Sequence, residues 1–468
     1  MPDREESLAG SLRRTGRMNA SFSPKTILTS TATGRVIPYT LMDIRQNLVE
    51  LGHCVWVQDN ARLASLDEKI FSIVDGLVQV EPDAFVTVDQ VGILPEVICL
   101  LDRPPLVVSW IYDDPRHFIK PNFLAVNSHL HLFCWDRAYL PYLQSQGLVH
   151  CHYQPFATNP QVHRPLSDEG YDYEVSFVGA VSPLRANVLR QLAEKGIAID
   201  VFGDEAWTNL CHPLIRYRGV ADNRRDCPRI YSRSKINLNM TSPQLLTALP
   251  VRVFDVLGCE GFLLTDRRED VDRLFTAGQD LAVYDDAEDL AAKVRYYLDR
   301  PEERDAIRRS GRTKVLQSHT FDRILPAMLK TVFSADVNVS CNAALSDETA
   351  AKYLWLVGTS YMKFGKYRQA YPRLLDALRL NSRSTETLMS MTLLAHVSGQ
   401  AGSVQSCLKS LLELDSSLAD WAVDVTAARE PSIEPAWWQR LYRLVFSELT
   451  VQADGTVLGW KPRQNEVV

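Results

Sequence analysis

The stretch PVRVFDVLGCEGFLLTD, residues 250–266, constrains the fold of this chain more than any other segment. Its first half places apolar side chains at helical spacing up to Leu257, and Gly258 and Gly261 mark the end of that helix. The run 262–265 that follows is apolar and suited to a parallel strand covered on both faces. The segment therefore predicts a helix that turns into a buried strand, as in an α/β protein.

Two charged residues lie beside the apolar stripe of this helix. Arg252 and Asp255 are three positions apart, so they share one helix face. We expect the corner to lie at the carboxyl side of the sheet, where α/β proteins hold phosphorylated ligands. Arg252 is the strongest candidate, because a planar guanidinium can contact phosphate through two hydrogen bonds in a way that Lys cannot. The alternative is an Arg252–Asp255 helix pair worth about 0.5 kcal/mol.

The rest of the first 330 residues alternates strand-like and helical segments. The first series has one helix, at 41–51, and strands at 25–30, 54–57, 85–88, 106–110 and 131–135. The second series follows the proline-rich segment 154–166, which we interpret as a hinge. It has strands at 174–179, 197–202 and 236–240, and helices at 184–195, 287–298 and 302–318. This order predicts two parallel sheets.

The last third of the chain is helical and repeats itself. Landmark residues recur 34 positions apart, at Gly365 and Gly399, Leu380 and Leu414, and Ser382 and Ser416. That period is typical of tetratricopeptide repeats, in which each unit is a helical hairpin. Two units fall short of a free-standing solenoid, so we expect them to dock on the body or on the C-terminal tail. A generic helical cap is the alternative.

The 468 residues suit two or three domains with well-filled cores. We divide the chain into a disordered tail (1–24), a first α/β domain (25–158), a second α/β domain (159–335), repeat-like helices (345–425) and a tail that packs on the body (426–468).

Composition excludes several classes of protein. A net charge of −6 provides no basic footprint for nucleic acid. No apolar run approaches the roughly 20 residues that span a bilayer, and the first 22 residues contain no apolar signal segment. The nine cysteines are scattered singly, without metal-binding spacing. We expect a reduced cytoplasmic protein without a metal.

Further cations precede helices and strands of the second series. Gly179 ends a strand, a Ser-Pro helix start follows, and Arg185 lies one turn into the helix; such a start can bind phosphate. The alternative is that Arg185 is a solvated helix residue. Lys235 directly precedes a buried strand, where a cation needs an anionic partner. A donor phosphate or Asp255 could be that partner. Within the strand, Asn237 and its neighbour two positions on could instead cap loops.

Carboxylates mark the remaining candidate positions. Asp113, Asp114 and His117 follow a strand of the first series and are candidate general bases for an acceptor hydroxyl. The alternative is an ordinary helix start whose carboxylates are stabilised by the helix dipole. Asp89 is a weaker candidate on a similar loop, and we interpret 133–137 mainly as packing.

The corner 255–261 resembles the "Glu-Ala-x-Ala-Cys-Gly" donor corner of GT-B glycosyltransferases, which have two facing Rossmann-like domains. The resemblance is nearest to the spore-maturation-protein-type branch of the group 1 superfamily, in which an Arg precedes the acid and "Gly-Phe-Leu-Leu-Thr-Asp" follows. Residues 231–239 and 110–115 resemble two further motifs, "Tyr-x-x-Ser-Lys-Ile-x-Leu-Asn" and "Trp-x-x-Asp-x-Pro". The resemblance covers roughly residues 25–330, and it implies that 25–158 is a Rossmann-like acceptor-side domain and 159–335 a Rossmann-like donor domain.

Three positions depart from the family pattern. Asp255 replaces a Glu, Glu260 stands where Gly is common, and Thr247 stands where the retaining enzymes have a second Glu. A carboxylate close to a diphosphate is repelled, which leaves the direction of Glu260 open.

The resemblance implies hexosyl transfer from a nucleotide diphosphate sugar to an acceptor hydroxyl, without a further cofactor or metal. The acid of the corner would contact the ribose. The implied donor-binding residues are Gly179, Arg185, Gly203, Lys235, Asn237, Arg252, Asp255, Glu260 and Thr265.

A repeat module attached to a transferase suggests a polypeptide acceptor, such as flagellin or a spore-coat component. The alternative function is a non-catalytic binding or scaffold protein whose donor corner is degenerate. A Rossmann oxidoreductase is disfavoured because no GxGxxG follows a predicted strand, and there is no P-loop or nucleophile elbow.

Overall fold

A computed structural model describes most of the chain. The described residues are 13–15, 23–30, 39–58, 60, 66–88, 95–117, 128–166, 170–335, 345–419, 422, 449–451 and 457–460. Side chains of 66–70, 95–96, 117, and the strands 13–15, 449–451 and 457–460 are not described further.

The first domain is built on a sheet whose strand order is β1-β3-β2-β4-β5-β6-β7. Six strands are parallel, and β1 pairs antiparallel with β3 at one edge. The strands are β1 (Arg13–Thr15), β2 (Thr26–Ser30), β3 (Cys54–Gln58), β4 (Ala84–Val88), β5 (Leu106–Ile111), β6 (Leu130–Cys134) and β7 (Cys151–Tyr153). β4 and β6 are buried along their whole length, as expected for parallel strands covered on both faces.

The second domain is built on a six-stranded parallel sheet in the order β10-β9-β8-β11-β12-β13. Its strands are β8 (Tyr173–Val178), β9 (Ile199–Phe202), β10 (Ile215–Tyr217), β11 (Ser234–Asn239), β12 (Leu263–Asp266) and β13 (Ala282–Tyr284). The chain turns to opposite sides of β8 when it continues to β9 and to β11. The gap between β8 and β11 is therefore the topological switch point of the sheet.

Helices cover the two sheets and form the last third of the described chain. Those of the first domain are α1 (Tyr39–Glu50), α2 (Leu66–Val80), α3 (Pro95–Ile98) and α4 (Leu140–Ser145). The second domain has α5 (Pro183–Glu194), α6 (Cys227–Ser232), α7 (Val251–Gly258), α8 (Glu269–Leu274), α9 (Ala287–Leu298) and α10 (Pro301–Ser318). The others are α11 (Phe321–Phe333), α12 (Asp347–Lys363), α13 (Tyr367–Leu380), α14 (Thr385–Val397) and α15 (Ala401–Leu414).

The predicted fold class is confirmed: two Rossmann-like domains with parallel sheets are followed by a helical region. Each predicted strand and helix lies within two residues of an observed one. The sequence analysis missed the edge strand β1, the helices α2, α3, α4, α6, α8 and α11, and the short edge strands β7, β10 and β13. The edge strands have three residues each, too few for a periodic pattern.

The chain crosses between the two domains twice, and the two crossings lie side by side. The first crossing is part of the predicted hinge 154–166, and the second links α10 to α11, which packs on α1 of the first domain. At this point Thr158 N–H donates to the carbonyl of His319 at 2.9 Å, and Phe321 N–H donates to that of Thr158 at 3.3 Å. Two bonded segments thus form one narrow hinge.

The helices α12–α15 form two hairpins, and Gly365 and Gly399 end their first helices with the same φ of +70°. The hairpins dock on the first domain. Ser360 of α12 donates to Asp75 of α2 at 2.8 Å, and Lys363 forms an ion pair with the same carboxylate. Burial raises the pKa of Asp75. The tetratricopeptide assignment itself remains a prediction.

Beyond the hairpins, the structure describes a two-stranded ladder of β14 (Leu449–Val451) and β15 (Val457–Trp460). Among the described helices, none is both long and apolar enough to cross a membrane.

We predict that Asp75→Ala loosens the docked hairpins. Lys363 and Ser360 would lose their shared acceptor, so the free energy of unfolding should fall by about 1–2 kcal/mol. Urea denaturation measures this change. The control is Asp376→Ala, which removes an exposed pair with Arg379 on α13 and should change stability by less than about 0.5 kcal/mol. Equal effects of the two variants would contradict the docking role of Asp75.

Candidate functional site

The candidate site lies at the carboxyl edge of the second sheet, on the switch point between β8 and β11. Two helices begin there: α5 follows β8, and α7 follows β11. Ser182 caps α5 by accepting from the Arg185 N–H at 3.3 Å, whereas Pro250 makes no side-chain cap at α7. Both helices point their amino ends, which carry partial positive charge, into the same crevice.

Two arginines from these helix starts converge on one aromatic ring. The guanidinium carbons of Arg185 and Arg252 lie 5.7 and 5.4 Å from the ring centroid of Phe177 in β8. Such a pair repels itself and adds positive charge where the helix dipoles already favour anions. Burial, and then the charge of Arg252, lowers the pKa of Arg185 to about 10.

The polar partners of both guanidinium groups are neutral. Arg185 donates to the carbonyl oxygens of Met240 and Ala180, at 3.2 and 3.0 Å. Arg252 donates to the amide oxygen of Asn239 at 3.0 Å. Within the part of the chain that the structure describes, neither arginine forms an ion pair with a carboxylate. The alternative for Arg252, a helix pair with Asp255, is therefore not formed.

Two glycine turns let the backbone approach this pair. A Cβ on Gly179 would lie 2.7 Å from Nη2 of Arg252, and a Cβ on Gly203 would lie 2.2 Å from the carbonyl oxygen of Gly179. Trp207 further fixes the turn, because its indole N–H donates to the Gly179 carbonyl at 2.8 Å. The Gly203 turn has room only for glycine, because the added Cβ would meet backbone atoms, and the Gly179 turn lies directly beside Arg252.

Behind Arg252, two buried side chains, Asn239 and Thr265, hold the guanidinium group in place. Asn239 accepts from Arg252 and uses its amide nitrogen to donate to the hydroxyl of Thr265 at 2.9 Å. Both are fully buried at the ends of β11 and β12. Thr265 thus lies beside the cluster, where it supports Arg252 through Asn239, and its contact with a donor stays a prediction.

Asp255 lies elsewhere, in the interior between α7 and the hinge. Its side chain is 1% exposed and accepts from the hydroxyl of Thr158 at 2.8 Å. His163 Nδ1 lies 3.1 Å from the carboxylate, and Asn223 donates at 3.4 Å. Burial raises the pKa of Asp255. The resemblance assigns this carboxylate to ribose contact, but in the structure it joins α7 to the hinge.

Three other predicted donor residues are not brought to the arginine pair. Lys235 lies at the amino end of β11 and forms an ion pair with Glu174 at 3.0 Å. Asn237 is buried and donates to the carbonyls of Tyr231 and Phe262. Glu260 pairs with Arg308 at 3.3 Å.

The position of Glu260 corrects our expectation for the corner itself. Since α7 runs back along the sheet, its first turn lies at the carboxyl edge and its last turn at the amino edge. The turn of the corner therefore lies opposite the arginine pair, and only the helix start with Arg252 belongs to the site.

In the first domain, the candidate bases separate by environment. Asp114 forms an ion pair with Arg116, which holds the pKa of that carboxyl below its usual range. Asp113 is exposed and accepts from Gln244 Nε2 of the second domain at 3.1 Å. Asp113 therefore faces the boundary between the domains. The side chain of His117 and the whole of Asp89 lie outside the described residues.

The sequence analysis missed a polar cluster that joins the domains beside the site. Asp43 in the first turns of α1 is buried, accepts from Asn159 at 2.9 Å and forms an ion pair with Arg224 of the second domain. The sequence contains one signal for this cluster: Asp43 falls on the apolar face of α1, where an acid is rarely buried without a partner. The partners are too distant in sequence to be inferred.

Across the described ranges, no three His, Cys, Asp or Glu side chains are grouped so that they could hold a metal ion.

Comparisons with known proteins show similarity in the second domain and in the fold. Residues 185–330 match a family described as "Glycosyl transferase-like", and the match includes both arginines. The chain is 23% identical to spore protein CgeB of Bacillus subtilis (strain 168) over 247 residues, which is 49% of this chain and 75% of that protein.

Two solved structures share the fold at low sequence identity. A glycosyltransferase from Rickettsia africae ESF-5 is 12% identical, with a TM-score of 0.52, and the similarity covers 68% of this chain and 100% of that chain. The sucrose-phosphate synthase of Thermosynechococcus elongatus is 10% identical, with a TM-score of 0.53, and the similarity covers 67% of this chain and 100% of that one.

Proposed function

We propose that this protein is a glycosyltransferase that moves a hexosyl group from a nucleotide diphosphate sugar to an acceptor hydroxyl. The pair of Arg185 and Arg252 carries the proposal, because two guanidinium groups meet at helix starts without a carboxylate partner among the described residues. The family match over 185–330 and the fold shared with two sugar-handling enzymes support the same assignment.

A diphosphate suits this pair because it carries negative charge and because that charge grows during the reaction. An anion between Arg185 and Arg252 relieves their mutual repulsion and takes charge-assisted hydrogen bonds from both. When the bond between sugar and phosphate breaks, negative charge grows on the departing diphosphate. Guanidinium groups already held in place stabilise that charge more strongly than the ground state, which is how they accelerate the reaction.

The rival function is a non-catalytic binding protein, motivated by the departures at Thr247, Asp255 and Glu260. Asp255 is engaged with the hinge, and Glu260 lies at the opposite edge of the sheet. Neither departure removes a group from the arginine pair, so we favour an active enzyme.

Asp113 is our choice for the general base that accepts the proton of the acceptor hydroxyl. It is exposed at the domain boundary, where a substrate can reach it, whereas Asp114 is buried. The ion pair with Arg116 also lowers the proton affinity of Asp114, which a general base needs. His117 remains a candidate from the sequence.

The acceptor that we propose is a polypeptide of a spore or another cell-surface structure. Two observations motivate it: the helical hairpins are docked on the acceptor-side domain, and the curated relative is named a spore protein. Helical hairpins of this period commonly bind extended segments of partner proteins.

We predict that the chain binds one of UDP, GDP, dTDP or CMP selectively, and that Arg252→Ala and Arg185→Ala each weaken binding about 10–100-fold. Each variant loses a charge-assisted hydrogen bond to phosphate. Isothermal titration calorimetry measures the affinities. The matched control is Arg190→Ala, an exposed arginine later on α5, which should bind like wild type. Absence of binding to all four nucleotides would favour the non-catalytic alternative.

We predict that Asp113→Asn lowers the rate of sugar transfer by about 10²–10⁴-fold and leaves nucleotide affinity unchanged, because an amide cannot accept the proton. Transfer of radiolabelled sugar to an extract of the native host reports the rate. Asp114→Asn is the companion variant: loss of transfer in it alone would move the base from Asp113 to Asp114.

We also predict that the transferred label enters protease-sensitive material of that extract. A polypeptide acceptor loses its label to small peptides on digestion, and mass spectrometry then locates the modified residue. Label that resists protease and fractionates with polysaccharide or lipid would contradict the polypeptide acceptor and leave the donor assignment intact.

A further inference from the structure

The loop that leads into α7 is held by a carboxylate from the other domain. This carboxylate belongs to Asp136, which follows β6 and is completely buried. Its Oδ2 accepts from the backbone N–H groups of Leu246, Thr247 and Ala248, at 2.6, 2.9 and 3.3 Å. Its Oδ1 accepts from the hydroxyl of Thr247 at 2.6 Å.

Because Asp136 is buried, its carboxylate needs several hydrogen-bond donors. A buried carboxylate is costly unless hydrogen bonds or a cation compensate it. The described ion pairs do not include Asp136, so backbone N–H groups and one hydroxyl provide the compensation. One further donor, the N–H of Ala138, is local and lies 3.0 Å away. Most of the compensation therefore exists only when the two domains are together.

The loop itself has further fixed points on both sides. Tyr139, next to Asp136 in the first domain, donates its hydroxyl to the Gln244 carbonyl at 2.7 Å. On the side of the second domain, the N–H of Asp270 donates to the carbonyl of Thr247 at 3.1 Å. The loop 244–249 thus has one defined position between the domains, and Arg252 follows it in the first turn of α7.

We propose that Asp136 is a positioning residue that seats the loop 244–249 and thereby holds Arg252 in register with Arg185 over Phe177. The inference rests on the proposed function, because it assigns Asp136 to the diphosphate site described above. It gives the first domain a part in the donor site without any contact to the donor. Separation of the domains would release the loop and loosen the arginine pair.

The geometry also explains the departure at position 247. A Thr there offers a hydroxyl donor and an adjacent N–H to a carboxylate that approaches from the first domain. A second carboxylate at this position would face Asp136 at hydrogen-bond distance and be repelled. Thr247 and Asp136 therefore form one unit, in which the acid comes from the opposite side of the cleft.

The test compares wild type with Asp136→Asn in the full chain. Asparagine keeps the shape but loses the charge, and its NH₂ group would face either N–H groups or the Thr247 hydroxyl. We expect the peptide covering 244–250 to exchange its amide hydrogens at least about tenfold faster. The affinity for the preferred nucleoside diphosphate should fall about tenfold, while the affinity for the parent nucleoside stays unchanged.

Gln46→Ala is the matched control, because it removes a different cross-domain hydrogen bond, from Arg224 at 3.2 Å, and does not touch the loop. It should change neither measurement. Unchanged exchange of the loop in Asp136→Asn would overturn the inference, as would faster exchange with unchanged diphosphate affinity. If wild type binds no nucleotide, the proposed function fails, and the exchange measurement still decides whether Asp136 holds the loop.

Discussion

Two guanidinium groups held over one phenyl ring are the constraint on which the arrangement of the candidate site depends. Like charges at this spacing separate unless their surroundings fix them. The carbonyls of Met240 and Ala180 hold Arg185, and the pair of Asn239 and Thr265 holds Arg252. Positive charge is therefore concentrated at the crevice between the two helix starts. It is kept there by the glycine turns, the buried amide of Asn239 and the loop into α7.

The neutral character of these partners is what makes the crevice a site. A carboxylate in place of Asn239 would neutralise Arg252 permanently and compete with an anionic ligand. Carbonyl and amide oxygens orient a guanidinium without cancelling its charge, so the electrostatic demand is left for a ligand. Two acids of the described chain lie nearby. Asp255 is directed away from the crevice into the hinge, where Thr158, His163 and Asn223 contact it, and Asp266 forms an ion pair with Arg268. The polarity of the site thus follows from which side chains face inward.

The sequence predicts the sheets, most helices and the arginine pair, because these depend on local periodicity and on residues that begin helices. The sequence also contains the reason why Glu260 and Lys235 lie away from the site. Lys235 lies at the start of a strand and Glu260 shortly before one, whereas ligands bind where parallel strands end. Other features depend on contacts that no local pattern encodes. Asp136 meets its loop 110 positions along the chain, and Asp255 meets the hinge through His163. Side-chain direction at a domain boundary follows from the assembled fold alone.

The paired crossings at Thr158 and Phe321 have a mechanical consequence. A single strand between two bodies bends and twists with similar ease. Two segments joined side by side by hydrogen bonds behave as a narrow ribbon. Such a ribbon bends easily in one direction and resists twisting. If the two halves move relative to each other, this pairing would restrict the movement to one arc of opening and closing. The carboxylate of Asp136 would then return along the same path to the same three N–H groups.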